Sequence, residues 1–130
     1  MASFAIRRLS QTPDTIAPDG SEVRLLAATE RGSMAHFRLP AGATSKAVRH
    51  RSVEEVWFFT GGKGVMWRQR GSEEATVAVA AGISLSIPVG TAFQFRAAGD
   101  SPLEAVAVTM PPWPGSDEAE PAEGAWEATV

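Results

Sequence analysis

The stretch VRHRSVEEVWFFTGGKG, residues 48–64, decides the fold. His50 sits between two arginines, and Glu54 and Glu55 precede an apolar, aromatic run. Side chains two apart on a strand share a face, so Trp57 and Phe59 point where Glu55 points. Adjacent Glu54 faces the other way, and the two acids cannot act on one substrate. The glycines at 61, 62 and 64 then break the run. A phosphate-cradling loop would continue Gly-Lys-Ser/Thr and open a helix. Here Gly64 and Val65 follow Lys63 and a further strand pattern begins, so TGGKG reads as a tight turn between strands.

Outward from that turn the same grammar repeats. MAHFRL (34–39), EVWFFT (55–60), GVMWRQR (64–70), ATVAVA (75–80), ISLSIP (83–88), AFQFR (92–96) and LEAVAVT (103–109) are short and alternating or β-rich. The middle of PDGSEVRLLAATE is read as one more strand. Gly- and Pro-bearing clusters separate them, and no long segment carries a helical period. In AFQFR, Phe93 and Phe95 share a face opposite Gln94 and Arg96. Many short strands at regular spacing imply an all-β sandwich or barrel.

The 130 residues suit one domain with its own core. With no cysteine, disulfides, thiolate metal sites and cysteine nucleophiles are excluded, and a cytoplasmic location is expected. MASFAIRRLS lacks the apolar run of a secretory signal, and no stretch has the length of a membrane span. The net charge of −3 is uneven: residues 117–130 hold five acids and no base, leaving 12 bases and 10 acids elsewhere. Neither part has the dense basic surface that nucleic acid requires. No Ser-His-Asp arrangement stands out, which disfavours a nucleophilic hydrolase.

From Met110 the chain is Pro-rich and acidic, and cannot be a central strand. Trp113 and Trp126 within it predict an irregular arm that docks its aromatics on the domain or on a second subunit. The expected division is therefore a barrel at 1–109 and an arm at 110–130.

From roughly Met34 to Thr109, with its core motifs at 42–97, the chain resembles the cupin superfamily, in particular its small single-domain, conserved-barrel members. That family carries the motifs G-x5-H-x-H-x4-E-x6-G and G-x5-P-x-G-x2-H-x3-N. Here Gly42, Val48, His50, Glu55 and Gly62 stand at the spacing of the first. Gly82, Pro88, Gly90, Phe93 and Ala97 stand at the spacing of the second. The resemblance implies an antiparallel jelly-roll β-barrel and a homodimer joined through sheet edges and terminal arms. In the family, three histidines and the glutamate bind one metal. Two of those histidine positions are Val48 and Phe93 here, and the chain has only His36 and His50.

A divalent Zn, Fe, Mn or Ni at His50 and Glu55 is therefore disfavoured. His36 is the candidate third ligand, although the alternation of its strand turns it away from the more apolar face. The favoured expectation is a metal-free pocket for a small, partly apolar organic molecule, lined by Val48, His50, Glu55, Trp57, Trp67, Gln69, Phe93 and Phe95. The alternative is an isomerase, dioxygenase or lyase. Its catalytic residues would be His50 and Glu55, acting on a depleted metal site or by metal-free acid/base chemistry.

Overall fold

The computed structural model describes residues 3–130, so Met1 and Ala2 of the N-terminal stretch lie outside the described residues. Two antiparallel sheets face each other. The first holds β1 (Thr15–Ile16), β2 (Glu22–Ala28), β3 (Ser33–Leu39), β10 (Leu103–Met110), β5 (Glu54–Gly61) and β8 (Ser84–Ile87), in that spatial order. The second holds β11 (Ala119–Pro121), β4 (Val48–His50), β9 (Ala92–Ala97), β6 (Lys63–Arg70) and β7 (Glu73–Ala80). This is a jelly-roll barrel, as the alternation and the motif spacing predict. Each strand read from the sequence is present. The short β1, β4 and β11 carry no strand signal in the sequence, because two or three residues give no period to detect.

The interior is built by complementary sizes. On β5, Glu55, Trp57 and Phe59 are buried while Glu54, Val56, Phe58 and Thr60 are exposed. Small residues of β10 stand beside the two rings, with Ala107 opposite Trp57 and Ala105 opposite Phe59. From the second sheet come Phe93 and Phe95 of β9 and Met66 of β6, whose Cα pairs with that of Phe95. Trp57 meets Phe93 and Phe95 edge-on at 5.9 and 5.3 Å between centroids and stacks on Phe37 of β3 at 4.9 Å. Such pairs add roughly 0.5–1.5 kcal/mol each beyond the area they bury.

The β5–β6 turn requires its glycine. Gly62 has φ +74°, and a Cβ there would stand 2.1 Å from the Pro102 carbonyl oxygen.

The arm at 110–130 folds back on its own domain. A 3-10 turn at Ser116–Glu118 leads into β11, which pairs with β4 and places Pro121 at a sheet edge, where a missing N–H is tolerated. Beyond it, Trp126 packs with Trp67, Ala47, Ala92 and Ala122 on the outer face of the second sheet. The approach is close: a Cβ on Gly124 would lie 2.2 Å from Gln94 Oε1.

Candidate functional site

At one end of the barrel, between the sheets, lies a cavity of about 550 Å³. His50 reaches it from the end of β4, and Glu55 from the start of β5. Phe93 on β9 and Val48 on β4 are Cα partners, so the two apolar replacements sit side by side in the wall. Thr109 enters from the end of β10, facing Glu55 across the sheet. Asp19 comes from the turn before β2, and Phe37 and Trp113 add two further rings.

Glu55 is 3% exposed and both of its oxygens are engaged. Trp57 Nε1 donates to Oε1 at 3.0 Å and Thr109 Oγ1 donates to Oε2 at 2.5 Å. Burial raises its pKa, and these two donors only partly offset that. His50 lies between the edges of Phe93 and Trp113, each 5.2 Å away. Its Nδ1 is 3.8 Å from Glu55 Oε1, too long for a hydrogen bond, and has no partner among the described residues. Burial lowers the His50 pKa against the opposing pull of Glu118 and Asp19, so the ring is neutral near pH 7.

Asp19 forms a local Asx turn, its Oδ1 accepting from the N–H and the hydroxyl of Ser21 at 2.8 and 2.6 Å. Burial raises its pKa, these bonds lower it, and Glu55 raises it further. Glu118 anchors the arm beside the cavity. Its carboxylate accepts from the N–H groups of Ser52 (2.5 Å) and Val53 (3.2 Å) and from the Ser52 hydroxyl. Burial pulls its pKa upward, but these donors outweigh that and hold it below the ordinary value.

Of the residues expected in the pocket, Val48, His50, Glu55, Trp57 and Phe93 line the cavity. Three do not. Phe95 is 2% exposed and packs deeper in the core, against Trp57 and Met66. Trp67 and Gln69 are on the opposite face of β6, because Met66 is the residue that pairs inward with Phe95. Trp67 is buried by the arm and donates to Glu74 Oε2 at 2.7 Å. Gln69 Nε2 donates to the Gly71 carbonyl at 2.6 Å, and its Oε1 accepts from Arg49 at 3.4 Å.

His36 is not a third ligand either. It turns away from the cavity and its Nε2 lies 3.3 Å from Glu104 Oε1. Among the described residues no group of three His, Cys, Asp or Glu side chains could hold a metal ion. What remains of the motif's donor set, one imidazole and one carboxylate with both oxygens already bonded, does not fit the family's metal. Asp19, Phe37, Thr109 and Trp113 were not assigned to the pocket from the sequence. Alternation carries Phe37 and Thr109 inward, and Trp113 was expected only to dock with the arm.

A family model described as Cupin domain matches residues 35–109. No curated protein sequence matches the chain. Among solved structures, the Bacillus halodurans protein BH2720 is similar with a TM-score of 0.65 at 18% identity, over 72% of each chain. The Drosophila melanogaster CENP-C cupin domain is similar with a TM-score of 0.63 at 14% identity, over 70% of this chain and 66% of that one. A variant of Bacillus subtilis oxalate decarboxylase OxdC is similar with a TM-score of 0.62 at 18% identity, over 68% of this chain and 25% of that one. These likenesses span an enzyme and a CENP-C domain, and at such identities they speak to the fold.

Proposed function

The chain belongs to the cupin family, and from that premise we propose that its barrel binds a small, partly apolar organic molecule without a metal. The observation that carries this reading is the state of the cavity wall. Phe37, Trp57, Phe93 and Trp113 stand in the wall of a cavity of about 550 Å³ at the motif position, and in that wall His50 Nδ1 is buried with no partner among the described residues. A buried polar atom without a partner costs roughly 1–3 kcal/mol, an arrangement expected where a ligand completes the set. The test is a thermal-shift survey of small organic molecules against the wild type and His50→Phe, which removes the unpartnered ring nitrogen. Ligands that stabilise the wild type alone support the reading. Ligands that stabilise both equally, or none at all, refute it.

A second reading is metal-free acid/base catalysis. A neutral His50 beside a buried Glu55 has the composition of a general base and its orienting group. Under that reading turnover of a bound ligand is lost in both His50→Ala and Glu55→Gln while binding by Glu55→Gln persists. Unchanged turnover in both variants would sink it.

The proposal extends to a cytoplasmic homodimer. Met34, Val56 and Phe58 are 38, 48 and 47% exposed on the first sheet, an apolar surface that a second copy would cover. A monomeric sedimentation profile at micromolar concentration would overturn that part. No helix among the described residues is long and apolar enough to cross a membrane.

A further inference from the structure

Resting on that cavity reading, we propose that the ligand carries an organic ammonium group, held between Asp19, Glu55 and the aromatic walls. Two carboxyl side chains, 4 and 3% exposed, line this one cavity. Neither is paired with a Lys or Arg side chain among the described residues. Arg24 is turned to Ser10, Gln11 and Glu22 instead, and Arg7 meets the cavity from an exposed position. A buried acid without a base either takes up a proton, as burial favours for both groups, or is completed by something positive.

The inventory of free valences points the same way. Asp19 engages Oδ1 with Ser21 and leaves Oδ2 unpartnered among the described residues. Each Glu55 oxygen accepts one donor, and a carboxylate oxygen can accept two. The strongest donors near Glu55, the Trp57 indole and the Thr109 hydroxyl, are already committed to it. The cavity therefore offers acceptors and asks for donors.

Its rings supply the remaining recognition. Trp57, Phe93, Phe37 and Trp113 line the same space, and a cation is drawn to an aromatic face. A carboxylate ligand would meet two acids here. A neutral alcohol would satisfy an acceptor but leave the acids without a counter-charge. A protonated primary amine satisfies acceptors, acids and rings together.

Calorimetric titration at neutral pH with benzylamine, benzyl alcohol and benzoate tests this, since the three share a ring and differ in charge. Benzylamine is expected to bind about tenfold or more tighter than benzyl alcohol, as desolvated cation–π contacts permit. Benzoate is expected to bind least. In Asp19→Asn and Glu55→Gln, each checked for fold by circular dichroism, the preference for the amine should shrink to within about threefold. Equal binding of amine and alcohol to the wild type, or an amine preference unchanged in both variants, overturns the ammonium assignment and leaves the cavity reading standing. Binding of none of the three by folded wild type overturns both.

Discussion

Two of the places where the barrel buries polar groups treat them oppositely. Beneath the arm, Gln94 is 1% exposed and both of its polar atoms are engaged. Its Nε2 donates to the Ser45 and Trp126 carbonyls at 2.8 Å each, and its Oε1 accepts from the Trp126 N–H at 3.0 Å. In the cavity, His50 is also buried but its Nδ1 is left without a partner, and Asp19 and Glu55 share the space with no Lys or Arg side chain paired to them among the described residues. A saturated polar cluster holds structure together. An unsaturated one in a hollow leaves valences for the ligand proposed above.

If the contrast is sound, the arm side is where stability is lost most. Gln94→Ala strips partners from Ser45 and Trp126 in a dry interface, and should cost about 3 kcal/mol in urea unfolding. It should also expose the arm to proteolysis near Trp126. A loss below about 1 kcal/mol would break the comparison. Glu118→Gln weakens charge-assisted bonds to Ser52 and Val53 and should cost about 2 kcal/mol. Because the folded pKa of Glu118 is depressed, its contribution is present above the ordinary value of 4.5 and lost as the pH falls below it. Unfolding midpoints of wild type and variant should therefore converge toward acid.

On the cavity side the expected effects on stability are smaller, and those on binding larger. His50→Phe replaces an unmatched polar ring with an apolar one and should change stability by less than about 1 kcal/mol, while abolishing ligand-induced stabilisation. The smallest effect is a slope with pH. Glu55 has a raised pKa, so the folded state is unpenalised below 4.5 and loses stability as the pH rises toward the folded value. Glu55→Gln should remove that fall and be at least as stable as the wild type at pH 8. His50 has the opposite sign: its pKa is depressed, and stability present above 6.5 declines as the pH drops. Midpoints measured from pH 4 to 8 separate the two slopes, and a Glu55→Gln profile parallel to the wild type would contradict the assignment.

Most of the fold was readable because strand alternation and turn glycines are local signals. Trp57 and Phe59 follow from Glu55 by counting in twos, and the burial of all three confirms it. Counting failed on β6, where Met66 and Trp67 are adjacent and both apolar. Trp67 is buried on the outer face only because a distant segment, the arm, lies over it. The site was half readable for the same reason. His50 and Glu55 stand in one motif, whereas Asp19 and Trp113 are brought in by the turn before β2 and by the arm, which no local pattern links to the motif.

The central claim is that the motif position holds a ligand cavity in place of the family's metal. Native mass spectrometry of dialysed protein, alone and with the best thermal-shift ligand, tests it in one spectrum. The expected result is metal-free protein that takes up one equivalent of ligand in the wild type and none in His50→Phe. One equivalent of a first-row divalent metal surviving dialysis, or equal uptake by the variant, would contradict it.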